Sequence, residues 1–172
     1  MKWLLFTFLV LLALILLMVA IGLLLPKAHV ATRRASFHQR PEDVWKAITD
    51  IDAMPSWRED VKSVQRLPDR NGLPAWIEKN GSDSLPLQTV TCQPPQRLVV
   101  RIADPSLPYG GTWTYELASS PVGAVLRITE NGEVKNPLFR FLSRFVFGHT
   151  AKMETYLKGL AKKFGEPPQV TE

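Results

Sequence analysis

The strongest constraint in this sequence is a change of period. Between Asp60 and Val134 apolar residues recur largely at alternate positions, in short runs separated by Pro, Gly, Asn and Asp. That pattern predicts antiparallel strands joined by tight turns. From Asn136 to Phe164 the chain reads NPLFRFLSRFVFGHTAKMETYLKGLAKKF and the period becomes helical. Asn136 is a suitable N-cap, and Pro137 suits the first helical position, where a missing N–H costs nothing. Gly165 followed by Pro167 and Pro168 predicts the stop. At about 100° per residue, Leu138, Leu142, Phe145, His149, Met153, Tyr156 and Leu160 share one face. Arg140, Arg144, Glu154, Lys158 and Lys162 fall on the other. One helix of this length needs a broad apolar surface to lie on, and the preceding strands offer it.

The elements before that helix follow from the same reasoning. His29–His38 alternates as a first strand, but neither face is cleanly apolar, which suits a sheet edge. RPEDVWKAITDI reads as a helix opened by Pro41, with Glu42 and Asp43 in its first turn and Val44, Trp45, Ala47 and Ile48 on its apolar side. DIDAMPSW is too short for a second helix and reads as a helical turn broken by Pro55. DVKSVQRL, LPAWIEKN, LPLQTVTCQ, RLVVRIAD, GTWTYELAS and AVLRITENGEV then form an antiparallel meander. The expected class is α+β, with the terminal helix covering one sheet face and room for a small apolar molecule between them.

The N-terminus is of another kind. Trp3 to Leu25 carries no charge and no proline. As a helix rising about 1.5 Å per residue it is long enough for a hydrocarbon core of about 30 Å. A cleaved signal peptide has a shorter apolar core and a small-x-small site, which Pro26, Lys27 and His29 spoil, so a retained anchor in a lipid bilayer is expected. The expected division is 1–26 anchor, 27–165 folded domain and 166–172 disordered tail. Lys27, Arg33, Arg34 and Arg40 follow the apolar run, and the excess of positive charge on that side favours a cytoplasmic domain. The net charge of +5 is modest and scattered. It lacks the dense basic stripe of a nucleic-acid protein and fits a juxtamembrane flank facing anionic lipid. A single cysteine, Cys92, excludes an intrachain disulfide and a cysteine-rich metal site. No GxSxG, P-loop, GxGxxG or HExxH occurs, and His29, His38 and His149 have no local metal-ligand spacing. No cofactor or metal is expected.

RPEDVWKAITDIDAMPSW, PPQRLVVRI and GTWTYELASSPVGAVLRITENGEV before the last helix resemble the START/Bet v 1-like (SRPBCC, polyketide cyclase/dehydrase-like) superfamily. The resemblance covers about Val30 to Phe164. It implies a helix-grip fold, a curved antiparallel sheet of about seven strands wrapped around the C-terminal helix. It also implies binding of lipids, sterols, polyketides or other hydrophobic molecules, with some members being enzymes. The N-terminal anchor is not part of the general pattern.

Candidate ligand-binding residues are Trp57, Trp76, Trp113, Tyr115, Glu130, His149 and Met153. The aromatics could stack a planar or isoprenoid molecule or simply form the core. His149 falls on the apolar face of the helix, where an imidazole could act as acid or base, bond a ligand carbonyl, or be an ordinary core histidine. Glu130 shares its alternation with Leu126 and Ile128 and points inward, or sits at a watery rim. Glu78 shares a face with Trp76 and the same ambiguity. Phe147, with Phe139, is placed to touch membrane or anchor, and Arg101 faces solvent. The expected function is membrane-tethered binding of a lipid, quinone or polyketide-like molecule. The alternatives are a cyclase/dehydratase-type enzyme using His149 and Glu130, or a membrane-bound protein-interaction adaptor.

Overall fold

The computed structural model describes residues 2–172. The chain opens with α1 (Lys2–Leu24), an uninterrupted helix whose side chains are almost all exposed. It is long and apolar enough to cross a membrane. Only Leu25, Pro26 and Lys27 separate it from β1 (Ala28–Phe37). Helix α2 (Pro41–Thr49) begins on Pro41 and buries Val44, Ala47 and Ile48. The Met54–Ser56 segment is a single 3₁₀ turn with Pro55 inside it. The meander follows as β2 (Ser63–Arg70), β3 (Leu73–Asn80), β4 (Asp83–Gln93), β5 (Arg97–Ile102), β6 (Tyr109–Ser120) and β7 (Gly123–Val134).

Turn chemistry sets the meander. Asn71 and Gly72 both hold positive φ, 55° and 73°, the backbone that joins two strands in a tight right-twisted hairpin. Pairing runs in the order β2-β3-β4-β5-β6-β7-β1-β8, where β8 is the two-residue strand Val170–Thr171. Every pairing recorded between these strands is antiparallel. Register shifts at Leu67/Arg70 and Thr89/Thr91 mark bulges, which bend strands and deepen the twist. The sheet has eight strands, the two-residue β8 joining the seven long ones, in line with the expected count of about seven. The tail, expected to be disordered, pairs Thr171 and Val170 with Arg34 and Ala35 of β1. That pairing gives β1 a second neighbour over part of its length.

The terminal helix differs most from expectation. It is two helices. Asn136 caps α3 (Pro137–Leu142), its Oδ1 accepting from the backbone N–H groups of Leu138 and Phe139 at 2.9 and 3.2 Å. Ser143–Phe147 then winds as a π-helix, Gly148 breaks the chain, and α4 (Ala151–Lys163) resumes after Thr150. Two causes are visible. Phe145, Val146 and Phe147 are consecutive apolar residues, and one face of an α-helix cannot bury all three; each is 61–62% exposed. The two halves also pack on different surfaces, α3 on α1 and α4 across the sheet. Phe145 and His149 are thus removed from the face expected for them. Met153, Tyr156, Leu157, Leu160 and Ala161 form the buried side of α4. The helix ends as predicted at Gly165 (φ 70°). Glu166 N–H reaches the Ala161 carbonyl and Gly165 N–H the Lys162 carbonyl, which satisfies carbonyls orphaned at the helix end.

The contact between α1 and α3 is close. A Cβ on Gly22 would run into the backbone of Pro137, and Gly22 is the one buried residue of α1 among the described residues. Arg140, itself buried, donates from Nη1 to the Leu25 carbonyl at 2.9 Å and from Nη2 to the Lys135 carbonyl at 3.2 Å. A cation at the carbonyl end of α1 also complements the helix dipole.

Gly148 stands at φ 72°, ψ 168°, a region essentially reserved for glycine. Nothing lies within 4 Å of a Cβ built there, so Gly148→Ala tests the backbone alone. It is expected to lower stability by about 1–3 kcal/mol, read by urea unfolding of the detergent-solubilised chain. An unchanged midpoint would mean that the break does not depend on this backbone conformation.

Candidate functional site

The concave face of the sheet is read directly from the strand registers. Trp113 pairs with Glu130 and Val100, Tyr115 with Ile128 and Leu98, and Trp76 with Leu87. These side chains point toward α4, which sets Met153, Tyr156, Leu157 and Leu160 against them with almost no exposure. Tyr156 is the hub. Its ring lies 5.2 Å from Trp57, 5.6 Å from Tyr115 and 5.9 Å from Trp113. The edge-on geometry with both tryptophans suits ring quadrupoles. Gly159 lets α4 approach this closely, since a Cβ there would crowd the Trp57 carbonyl at 2.9 Å.

A buried ion pair stands beside the hub. Arg58 Nη1 donates to Glu78 Oε1 at 2.7 Å, and Arg58 Nη2 donates to Asp60 Oδ2 at 2.7 Å. Trp76 Nε1 also donates to Glu78 Oε1, at 3.3 Å. The guanidinium sits 5.2 Å from the centre of the Tyr156 ring, in reach of its π-face. Burial opposes the Arg58 charge, but Asp60 and Glu78 outweigh it and hold the group firmly protonated. Burial pushes the phenols of Tyr115 and Tyr156 well above their ordinary range. Tyr156 Oη and Trp57 Nε1 are buried without a hydrogen-bond partner.

A second polar cluster lies where β1 leaves the anchor. Glu130 points inward from β7 and accepts two hydrogen bonds, from Trp113 Nε1 at 2.9 Å on Oε2 and from His29 Nε2 at 3.2 Å on Oε1. An ionised carboxylate only accepts, so its partner fixes the proton on His29 Nε2. Gly132 makes room, because a Cβ there would meet the His29 ring and the Glu130 carboxylate. The His149 ring stacks on His29 with centroids 3.8 Å apart and planes 25° from parallel. Burial lowers the His149 pKa, the neighbouring His29 lowers it further, and Glu130 pulls the other way. The His149 imidazole therefore resists protonation more than a free one.

The seven expected residues thus divide. Trp57, Trp76, Tyr115 and Met153 are interior packing around Tyr156. Trp113 bridges that packing to the cluster, which gathers Glu130 and His149 near the break at Gly148. The direct Glu130–His149 pair is replaced by a path through His29, which the sequence reading passed over. Its parity with Ala31, Ala35 and Phe37 on β1 was the available signal. Two surface depressions, of about 620 and 210 Å³, lie against α2, one lined by Pro41, Gln93 and Arg97 and the other by Lys46 and Lys163. Neither lies beneath α4, and neither contains an expected residue. Among the described residues no group of three or more His, Cys, Asp or Glu side chains is arranged to hold a metal ion.

Residues 28–165 match the family described as polyketide cyclase/dehydrase and lipid transport. The chain belongs to this family. No curated protein sequence matches it. Solved structures of similar fold include a START superfamily protein from Mycobacterium smegmatis, with 14% identity, a TM-score of 0.58, and 79% of this chain aligned to 95% of that one. Norcoclaurine synthase from Thalictrum flavum aligns at 11% identity and a TM-score of 0.61, covering 81% of this chain and 88% of that one. The di-domain ARO/CYC StfQ from the steffimycin biosynthetic pathway aligns at 14% identity and a TM-score of 0.62, over 80% of this chain and 52% of that one. The helix-grip expectation from sequence is met. Membership of the polyketide cyclase/dehydrase and lipid transport family supports a hydrophobic ligand-binding or cyclase role.

Two measurements check the site's energetics. Tyr156→Ala removes the hub and is expected to cost about 3–5 kcal/mol. Tyr156→Phe removes only an unpaired buried hydroxyl, so it should move stability by less than about 1 kcal/mol. Equal losses in the two variants would show the hydroxyl to be bonded. The second measurement is pH dependence. The folded His149 pKa lies below its unfolded value near 6.5, so the unfolded chain binds the proton first as pH falls. Stability from this group is whole above that value and is lost toward the lower folded pKa. A His149→Asn variant should lose less stability than the parent between pH 7.5 and 5.5; identical profiles would contradict the assignment.

Proposed function

We propose that this chain is a membrane-tethered helix-grip domain that takes up a hydrophobic molecule with a polar end, such as a lipid, quinone or polyketide-like compound. The observation carrying the reading is the Trp113–Glu130–His29–His149 cluster at the end of the sheet that joins the anchor. It offers a held carboxylate and an imidazole that resists protonation at the edge of an otherwise apolar interior. Family membership supports the chemical class of ligand, and α1 supports the bilayer as its source. Met153 and Tyr156 fill the space beneath α4. An apolar tail therefore enters only as the Ser143–Thr150 segment lifts, and this is the segment with π winding and the glycine-only backbone at Gly148. The charge pattern after Leu25 favours the cytoplasmic side.

A cyclase/dehydratase reading gains from the same cluster, with one change of partner. Glu130 is bonded to His29, so that pair, rather than Glu130 with His149, is the acid/base couple within hydrogen-bonding reach.

Native mass spectrometry of the full chain, extracted from its own membrane in mild detergent, tests the proposal. The expected result is a bound apolar species that is retained by the parent and depleted in Glu130→Gln. A companion species lighter by one water would mark the enzyme reading. Wild-type protein released without any adduct would overturn the binding reading.

A further inference from the structure

Outside α1, the large apolar side chains that stand exposed among the described residues are few, and they are not scattered. Phe139, Phe145, Val146 and Phe147 come from α3 and the π-helix, Val30 from the start of β1 and Tyr109 from the start of β6. All six lie at the end of the sheet where the chain leaves α1. The exception, Val122, sits in the β6–β7 turn at the opposite end. A soluble surface carries single apolar residues anywhere, whereas a contiguous group of this size marks a contact.

The depth of the group follows from the anchor. Gly22 touches Pro137, and α1 ends two residues later at Leu24. At about 1.5 Å per residue, the start of α3 lies roughly 3 Å inside the end of the apolar helix. No charge occurs in α1 beyond Lys2, and the next cation is Lys27. A bilayer that accepts α1 therefore has its acyl–headgroup boundary at the level of α3. Arg144 and Lys27 are exposed there, where cations meet anionic headgroups. Arg140, the cation of α3 itself, is turned inward onto the Leu25 carbonyl instead of toward the lipid.

We infer that Phe139 and the Phe145–Phe147 lip form a second membrane contact, lying in the interface of the same bilayer that α1 enters. This inference rests on the membrane reading of α1. Its apolar side chains enter the headgroup–acyl boundary to a depth of roughly 5–10 Å. The lip begins three residues before the break at Gly148, so it sets the movable edge of the domain into the lipid from which a ligand would come. The occupant is lipid rather than a second copy, because the patch is continuous with the anchor and has the anchor's own depth.

The test uses the full chain in nanodiscs of mixed phosphatidylcholine and phosphatidylglycerol, on a Cys92→Ser background. An environment-sensitive fluorophore is placed in turn at Phe147→Cys, Leu12→Cys and Val122→Cys. At position 147 we expect blue-shifted emission and loss of most of it to a nitroxide carried near the lipid headgroup. A nitroxide at the acyl-chain end should quench it less. Position 12 should show the reverse preference, and position 122 should emit as in water. Water-like emission at 147 with position 12 quenched overturns the lip and leaves the tether standing. Blue-shifted but unquenched emission at 147 means a protein covers it and also overturns the inference. An unquenched position 12 removes the tether, and the lip with it.

Discussion

The fold depends on one side chain, Tyr156. Four groups from two separate stretches of chain converge on its ring: Trp57 from the loop after α2, Arg58 beside it, Trp113 and Tyr115 from β6. Strand pairing alone would leave the concave face as an open trough. Tyr156 fixes where α4 lies across that trough and how far it sinks. The Arg58–Glu78 pair is buried against the same ring, so a charge is brought into the interior together with its counter-charge. Breaking such a pair costs more than forming it gains. The interior is accordingly a filled one, held by interlocking aromatics and one ion pair.

The polar groups that we propose meet a ligand lie at the anchor end of the sheet rather than at its centre. There Glu130 is held by Trp113 and His29, and His149 lies over His29. The central candidates are packed in the interior, while the cluster is partly exposed and borders the π winding and the break at Gly148. Rigidity at Tyr156 and irregularity at Gly148 are complementary: one half of the terminal helix is pinned, and the other has room to differ.

Much of this was legible in residue order. Strand limits followed from alternation and turn residues because a meander encodes its topology locally, each strand pairing with the next. The N-cap at Asn136 and the stop at Gly165 were likewise local. What failed was the continuity between them. The helical period was read straight through Gly148, and the helical wheel placed Phe145 and His149 on the buried face. The break arises because α3 is claimed by α1, more than a hundred residues earlier in the chain, and no local pattern reports that competition. His29 escaped notice for a similar reason. Its role comes from the register of β1 against β7, which sets it beside Gly132, and register between distant strands is invisible to periodicity.

The connection between α1 and the sheet has a mechanical consequence. Leu25, Pro26 and Lys27 span at most about 10 Å even when fully extended, and Arg140 and Gly22 tie α3 to the same helix. The domain therefore has no swinging arm. It is bolted to its helix at two points, like a bracket rather than a tethered float. On the membrane reading, such a bracket cannot ferry a molecule across an aqueous gap. Its traffic is confined to the leaflet on which it stands, and any onward transfer requires the acceptor to come to it.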